Sequence, residues 1–173
     1  MADAGIQCWL TKYHFDFWRP VIGIQRGDAD ENQHTEGDPL WLPLGAPATN
    51  GAGDGVNFTP PFPAYCSGHA TFGAAALHTV ECFYGTSKIP FSFTSDEFNG
   101  INREGDRTVR PLITRYFANI DDAIWENAVS RIYLGIHWRF DAINGVVAGR
   151  EIGDEVFENV LRPVRKQKER HKG

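Results

Sequence analysis

The chain has no apolar run long enough to cross a membrane. Charged residues or prolines interrupt every hydrophobic stretch of its 173 residues well before the roughly 20 apolar positions that a spanning helix requires. The first residues, Met1 to Ile6, include an aspartate and lack the basic and apolar regions of a secretory signal. We therefore expect a soluble chain without signal peptide or membrane span, and its compartment is not predicted.

Cysteine is also scarce. Cys8, Cys66 and Cys82 are too few and too widely spaced for a disulfide framework or a paired-cysteine metal site, so free thiols are expected. The net charge is −5, yet the segment 162–173 holds six of the 17 lysines and arginines. We interpret this basic segment as a flexible solvated end rather than a nucleic-acid-binding arm, because frayed charged termini are common. Residues 1–161 then form one domain.

Helical spacing of apolar residues dominates the rest of the chain. Four helices are predicted, over Ala2–Trp18, Ser67–Tyr84, Asn119–Leu134 and Asp141–Leu161, with Pro20 closing the first and Gly85 ending the second. The segment 27–63 is rich in Gly, Pro, Asp and Asn, which predicts a long ordered loop between the first two helices. Residues 96–101 weakly indicate a short helix, and no strand is predicted. The expected class is an all-α helical bundle.

Three separated cations stand out because a hydrophobic core has little use for them. Lys12 and Arg19 lie seven residues apart on one helix face, and Arg131 lies on the third predicted helix. A tetrahedral oxyanion such as phosphate or vanadate requires several positive donors, and two arginine forks with a lysine supply them. Taken singly, Lys12 and Arg19 could be surface charges, and Arg131 could pair with Asp121, Asp122 or Glu126.

Ser67 and Gly68 precede the second predicted helix. The first backbone N–H groups and the positive end of its dipole would face an anion there, with the serine hydroxyl as a further donor. Gly68 allows close approach of the backbone. His69 follows, and alone it could be an ordinary surface residue of the first turn.

His137 and His69 could divide the two tasks of an oxyanion site, which are attack on or coordination of the central atom and proton transfer. Asp141 lies four residues after His137, so a helical turn would let the carboxylate hold the second imidazole nitrogen. His137 stands between Ile136 and Trp138, and alone it could equally be a hydrogen-bonded core histidine.

The spacing of these residues resembles the signature of the vanadium haloperoxidase and type-2 phosphatidic acid phosphatase superfamily. The chain reads Lys12-x6-Arg19-Pro20, then Cys66-Ser67-Gly68-His69, then Ser130-Arg131-x5-His137-x3-Asp141. One position departs, since Cys66 replaces the usual proline. The stretches 12–20, 44–50, 61–65 and 130–141 also resemble vanadium chloroperoxidases, so the resemblance covers most of residues 1–161 and is weaker over 86–111.

The resemblance implies a vanadate-dependent haloperoxidase. Vanadate would be held by the cations and the helix start, at Lys12, Arg19, Ser67, Gly68 and Arg131, with His137 as the axial vanadium ligand. It also implies catalytic roles for Lys12 and His69, with a peroxovanadate that oxidises halide to hypohalous acid. Hydrogen peroxide, a halide (bromide, with chloride left open) and a small organic molecule would be substrates. Trp9 and Phe62 match the halide pocket of chloride-oxidising relatives, or are core aromatics.

Two other functions stay open at this point. Phosphate fits the same cradle, so the chain could be an acid phosphatase in which His137 is the nucleophile. Relatives are much longer and carry helices before the Lys-x6-Arg-Pro helix, so this sequence resembles the C-terminal part of a longer member. It could therefore be an inactive oxyanion-binding remnant, or could cover its apolar surface with missing helices or as a homo-oligomer.

Overall fold

The computed structural model describes residues 1–29, 31–46, 58–103, 107–160 and 162. The elements in chain order are α1 (Ala2–Phe15), α2 (Pro20–Gln25), a 3-10 turn (Gly27–Ala29), α3 (Gly68–Tyr84), β1 (Phe91–Asn99), β2 (Leu112–Phe117), α4 (Ile120–Tyr133) and α5 (Arg139–Asn159). The four long helices correspond to the four predicted from the sequence. The predicted helical bundle is confirmed, and a two-stranded sheet is added to it.

The first helix is shorter than predicted. It ends at Phe15, where Asp16 adopts a left-handed conformation with φ 46° and its N–H bonds to Lys12 O. Pro20 does not close that helix but occupies the first turn of α2, with Arg19 as the N-cap residue. Proline is favoured there because the first N–H groups of a helix have no partner within it. The short break between α1 and α2 turns Arg19 inward.

Helices α3 and α5 run side by side in the same direction. A Cβ at Gly145 would lie 2.9 Å from Ala70 Cβ, whereas a Cβ at Gly153 would lie 3.3 Å from His78 Cδ2. The positions that advance along α5 therefore meet positions that advance along α3. Gly149, between these two, meets Ala74. Small residues thus allow the two helices to pack closely, and the N-terminal ends of both lie together.

Helix α4 packs across this pair and contributes two of the larger core side chains, Ile120 and Ile124. Ile120 and Ile124 pack against Ala74, and Ala128 packs with Ala70 and Ala142. The α4 N-terminus lies near Arg150 of α5, which pairs with Asp121. Its C-terminal turn therefore points toward the N-terminal ends of α3 and α5. All three helices thus end or begin at one place.

The sequence predicted no strands, and this prediction is wrong. Antiparallel pairing joins Phe91 with Phe117 and Thr94 with Thr114, and the register shifts between Thr94 and Asn99. The weakly indicated helix over 96–101 is also wrong, because its first residues belong to β1. Both strands are largely exposed, which leaves little hydrophobic alternation. Phe91 stacks on Phe117 across the two strands, with ring centroids 5.2 Å apart. Phe91 also packs against the core cluster that Ile120 and Ile124 form, which holds the hairpin against the bundle.

Parts of two sequence predictions fall outside the described residues. The predicted long loop over 27–63 includes residues 30 and 47–57, and the predicted flexible tail lies outside except for Arg162. The end of the loop lies beside the N-terminal end of α3, because Phe62 O accepts from Arg19 at 2.9 Å and Pro63 O accepts from Lys12 at 3.0 Å. Within the described residues, no helix combines the length and the apolar character that crossing a membrane demands.

Candidate oxyanion-binding site

Arg19 is buried where α2 begins. Its Nε donates to Phe62 O at 2.9 Å, and its Nη1 donates to Ile136 O at 2.8 Å and lies 3.0 Å from His137 Nε2. Its Nη2 is buried, and no acceptor for it exists among the described residues. Burial lowers the pKa of Arg19 to about 10, so it stays charged at neutral pH. A charged, buried donor without an acceptor is costly and is suited to receive an anion.

Lys12 is completely buried on the inner face of α1. Its ammonium donates to Pro63 O at 3.0 Å, Ala64 O at 2.9 Å and Cys66 O at 2.6 Å. These bonds hold the backbone that leads into α3. Burial lowers the pKa of Lys12 to about 8, so most of it is charged at neutral pH. All three protons are engaged, so direct contact with an anion would require Lys12 to release one carbonyl.

His137 lies in the connection between α4 and α5, and its two ring nitrogens face different partners. Nδ1 is 2.9 Å from Asp141 Oδ2, whereas Nε2 is 3.0 Å from Arg19 Nη1. A guanidinium can only donate, so Nε2 must accept and Nδ1 must carry the proton. Burial, followed by repulsion from Arg19 and Lys12, lowers the pKa of His137 to about 4 against the opposing effect of Asp141. The imidazole is therefore neutral at pH 7, with its Nε2 lone pair directed toward Arg19.

Asp141 occupies the third position of α5 and is also completely buried. Its Oδ2 accepts from the backbone N–H of Trp138 at 3.1 Å as well as from His137. Trp138 is in turn held by its indole N–H, which donates to Trp18 O at 2.9 Å. The orientation of the imidazole thus follows from the first turn of α5, since the carboxylate bonds the helix N-cap and the ring together.

The start of α3 presents backbone donors to the same place. Ser67 is its N-cap, and the serine Oγ accepts from Ala70 N at 3.4 Å. Gly68 and His69 are the first two residues of the helix, so their N–H groups have no partner within it. The backbone N–H of Ser67 is used differently, because it donates to Asp141 O at 3.1 Å. That bond ties the beginnings of α3 and α5 together.

His69 stands at the mouth of the site. Desolvation of its ring and repulsion from Arg131, Lys12 and Arg19 lower its pKa to about 4, although the residue as a whole is exposed. Its carbonyl accepts from Asn127 Nδ2 at 2.7 Å, which links α3 to α4. Three cations therefore act on one imidazole that water can reach, and the ring is neutral at pH 7.

Arg131 lies in the last turn of α4. Its Nε is 3.0 Å from Ser130 Oγ, and no carboxylate pairs with it among the residues that the structure describes. Asp121 pairs with Arg150 instead, and Glu126 pairs with Arg115. The interpretation of Arg131 as an ion-pair partner of these acids therefore fails. Burial alone lowers its pKa.

A cavity of about 450 Å³ lies among these residues, and some of them line it. Its lining combines aromatic and apolar side chains with a few polar ones, namely Met1, Trp9, Arg19, Pro60, Phe62, Gly68, His69, Phe72, Gly73, Asn127, Ile136 and His137. Six of the residues singled out in the sequence are among them. Lys12, Ser67, Arg131 and Asp141 are not in the lining, and they act on it through their charge, their hydrogen bonds or the backbone that they hold.

Trp9 and Phe62 form one wall of the cavity, with ring centroids 5.2 Å apart. Lys12 Nζ lies 5.4 Å and Arg19 Cζ 5.0 Å from the centroid of Phe62. The wall is therefore apolar, with positive charge directly behind it. Such a surface strips water from a small anion while the cations compensate for the lost hydration.

Asn127 is a cavity residue that the sequence analysis missed. It lies one turn before Arg131 on the same face of α4, and its amide reaches the first turn of α3. The signal was available, because residues four apart on a helix share a face. An isolated asparagine on an amphipathic helix nevertheless carries little information by itself.

The side chain of Cys66, which replaces the usual proline, packs among buried neighbours beside the site. Its Sγ lies 3.8 Å from Cys8 Sγ and 3.5 Å from Thr71 Oγ1, and all three side chains are buried. The contact with the site is made by the Cys66 carbonyl, which accepts from Lys12. Since a backbone group makes that contact, either residue could supply it. The described chain contains only free cysteines, as predicted.

A helical bundle with a small hairpin, and with a cavity at the N-terminal ends of two parallel helices that Arg19 lines, defines the class as a helical domain with a candidate oxyanion site. A family model described as the VCPO second helical-bundle domain matches residues 1–166. A vanadium chloroperoxidase from Curvularia inaequalis is 44% identical over 234 aligned residues, which include 94% of this chain and 37% of that protein. The chain belongs to the family of the second helical-bundle domain of vanadium chloroperoxidases, and it spans little more than a third of that relative's length.

Solved structures agree with this assignment. A bacterial vanadium-dependent iodoperoxidase is similar with a TM-score of 0.63 and 32% identity, over 91% of this chain and 30% of its own. The apo form of a bacterial vanadium-dependent chloroperoxidase has a TM-score of 0.65 at 17% identity, over 90% of this chain and 33% of its own. At that lower identity the likeness concerns the fold alone.

Proposed function

We propose that this chain forms the vanadate site of a haloperoxidase, which oxidises bromide or chloride with hydrogen peroxide and delivers the oxidised halogen to a small organic molecule. The observation that carries the proposal is the buried guanidinium of Arg19. Its Nη2 has no acceptor among the described residues, while its Nη1 faces the Nε2 lone pair of His137. An oxyanion would satisfy both atoms. Its oxygens would accept a hydrogen bond from Nη2, and its electrophilic central atom would accept the lone pair of Nε2.

The charges support a multiply charged oxyanion. Lys12, Arg19 and Arg131 carry positive charge, and Asp141 is the carboxylate that acts on Lys12 and Arg19. Burial lowers the pKa of all three cations, so their charge is held at a cost to the folded state. An anion with one or two charges would offset this cost. Vanadate and phosphate both meet the description, and the N–H groups of Gly68 and His69 suit either.

We assign the position of ligand to His137. Its Nδ1 is protonated and oriented by Asp141, so Nε2 keeps a lone pair at neutral pH. Arg19, Arg131, Lys12 and the start of α3, at Ser67 and Gly68, would hold the oxygens. Bound vanadate would supply Lewis acidity toward a peroxide oxygen.

His69 is positioned to move protons at the mouth of the cavity. Its low pKa arises from desolvation and from the positive charges of Arg131, Lys12 and Arg19. An anion among those cations removes much of the repulsion, so the pKa of His69 rises toward its ordinary value. This rise brings the imidazole closer to the pH range in which a catalytic acid or base works best.

We assign the halide to the wall formed by Trp9 and Phe62. Both rings line the cavity, and Lys12 and Arg19 lie behind Phe62. The rings exclude water from an approaching halide, and the cations attract it. Such a wall favours halide without distinguishing bromide from chloride.

The proposal is tested by incubating the purified chain with orthovanadate, removing unbound vanadate by desalting, and measuring bound vanadium and peroxide-dependent bromination of a phenol dye. We expect retention and activity that phosphate inhibits. His137→Ala should abolish both, whereas the exposed His34→Ala should leave both unchanged.

Each other outcome identifies a different function. Hydrolysis of an aryl phosphate without bromination would assign the chain to the phosphatases, with His137 as the nucleophile. Vanadium retention without either activity would indicate an oxyanion-binding remnant. Loss of vanadium on desalting would overturn the proposal for this chain.

A further inference from the structure

A second group of polar side chains lies at the other end of the α3–α5 pair. His78 and Cys82 are four residues apart on α3 and so share one face, and Asp154 reaches them from α5. His78 Nε2 lies 2.8 Å from Asp154 Oδ1. Cys82 Sγ lies 3.6 Å from His78 Nε2 and 3.5 Å from Asp154 Oδ1. One nitrogen, one sulfur and one oxygen thus converge on a single point.

We propose that His78, Cys82 and Asp154 form a zinc site that joins α3 to α5. The donor set decides the metal, because a thiolate with an imidazole and a carboxylate suits Zn²⁺, whereas Ca²⁺ and Mg²⁺ take oxygen ligands. This proposed zinc site is separate from the candidate oxyanion-binding site. His78 is nine residues after His69, which corresponds to roughly 13 Å along the helix.

The distances fit a tetrahedral ion closely. With bonds of about 2.3 Å to sulfur and about 2.0–2.1 Å to nitrogen and oxygen, the edges of the tetrahedron are about 3.5 Å to sulfur and about 3.3 Å between nitrogen and oxygen. The two distances from Cys82 Sγ already match the first value. The hydrogen bond between His78 and Asp154 would lengthen by about half an ångström to admit the ion, a change within the reach of one carboxylate rotamer.

The imidazole is already oriented for this role. His78 Nδ1 lies 2.9 Å from Glu81 Oε2, so the carboxylate can hold the ring and keep Nε2 directed at the ion. Arg150 lies 3.5 Å from Glu81 and also pairs with Asp121, which limits the motion of Glu81. Gly153 supports the arrangement as well, because a Cβ there would lie 3.3 Å from His78 Cδ2.

The exposure of the ligands leaves room for metal exchange. The side chain of His78 is 13% exposed and that of Asp154 is 55% exposed. An ion could therefore enter from solvent, with water as its fourth ligand. Binding replaces the Cys82 thiol proton, which passes to the buffer. Cys82 lies in the last turn of α3, where the helix dipole also favours a cation.

The test is titration of the reduced, metal-free chain with Zn²⁺ by calorimetry, and with Co²⁺ by absorption spectroscopy. We expect one ion per chain and a thiolate-to-cobalt charge-transfer band. Cys82→Ser should remove the band and weaken Zn²⁺ binding at least 100-fold, and Asp154→Asn should weaken it at least tenfold. Cys8→Ser serves as the matched cysteine control and should retain the band.

A band that survives in Cys82→Ser, or the absence of Zn²⁺ binding by the unaltered chain, would overturn the proposal. Circular dichroism of each variant shows whether the helices are intact, so loss of binding through unfolding is recognised. Glu81→Gln provides a second variant that keeps all three ligands. It should weaken Zn²⁺ about tenfold while the cobalt band persists.

Discussion

The two ends of the α3–α5 pair carry opposite chemistry on the same two helices. At the N-terminal ends, the cations Lys12 and Arg19 lie near Asp141 and the first turn of α3. At the C-terminal ends, Glu81 and Asp154 surround His78. The first end holds buried positive charges and hydrogen-bond donors that suit an anion. The second end holds nitrogen, oxygen and sulfur atoms that suit a cation. Because the helices are parallel, their dipoles add, which favours an anion at one end and a cation at the other.

Small residues make this arrangement compact. Gly145, Gly149 and Gly153 face Ala70, Ala74 and His78 respectively, so the helices approach closely along their whole contact. Close approach at the first end lets Ser67 N reach Asp141 O, and at the second end it lets Asp154 reach His78. This glycine-lined contact between α3 and α5, called the seam below, therefore positions the side chains at both ends. Variants can test the two ends independently.

The largest expected effect is at Arg19. Arg19→Ala removes a buried guanidinium with a free donor, and each charge-assisted hydrogen bond contributes about 1.5–3 kcal/mol. We expect vanadate and phosphate to bind about 10- to 150-fold more weakly, measured by calorimetry. Zn²⁺ binding at the other end should be unchanged. Arg26→Ala is the control, because Arg26 is exposed, and an equal loss there would contradict the assignment.

A smaller effect is expected from the seam itself. In Gly149→Ala the new Cβ would overlap Thr71 O and lie 2.8 Å from Ala74 Cβ, so the helices must separate. We expect a loss of about 2–3 kcal/mol in the free energy of unfolding, measured by urea denaturation. In Gly153→Ala the nearest atoms lie at 3.3 Å, and the better helix propensity of alanine offsets the strain. A loss for Gly149→Ala no larger than that for Gly153→Ala would contradict the closer contact described at Gly149.

Asp141→Asn should affect the anion end through the tautomer of His137. The amide can donate to Nδ1, which would move the imidazole proton to Nε2 and direct it at Arg19. We expect oxyanion affinity to fall about 10- to 100-fold with little change in fold. Nitrogen chemical shifts of His137 would report the tautomer. An unchanged tautomer together with unchanged affinity would remove Asp141 from the site.

The smallest expected effect is a shift in the pKa of His69. Without an anion, desolvation and three cations keep this pKa at about 4, so the ring is neutral at pH 7. Phosphate should raise the pKa by about one unit, equivalent to about 1.4 kcal/mol, because it neutralises those cations. By linkage, phosphate binding then takes up protons below the ordinary histidine pKa. Proton NMR titration of His69 with and without phosphate measures the shift, and an unchanged pKa would contradict the prediction.

Much of the anion end could be predicted from the sequence because its residues are unusual and regularly spaced. Their fixed spacing along the chain was the signal, although the shared helix face expected for Lys12 and Arg19 is wrong. Helix α1 ends at Phe15, and Arg19 is brought inward as the N-cap of α2. Two details could not be predicted this way. The three carbonyls that engage Lys12, and the role of Asn127, depend on how distant segments meet.

The hairpin and the zinc ligands show the opposite case. Strands β1 and β2 are short and exposed, and their pairing joins Phe91 to Phe117 across an intervening stretch that carries no pattern. His78 and Cys82 are visible as neighbours on a helix, but the third ligand, Asp154, lies 72 residues after Cys82. Such pairings depend on loop closure and packing, which are not encoded in any short stretch.

The sequence by itself determined the four long helices, the positions of the cations and the family signature, because helix periodicity and capping are local properties of the chain. Only the tertiary structure decided that α3 and α5 run parallel with both N-termini at one cavity, that Arg19 Nη2 is left without an acceptor among the described residues, and that Asp154 meets His78. These depend on which side chains are buried together, and burial is settled by the packing of the whole chain.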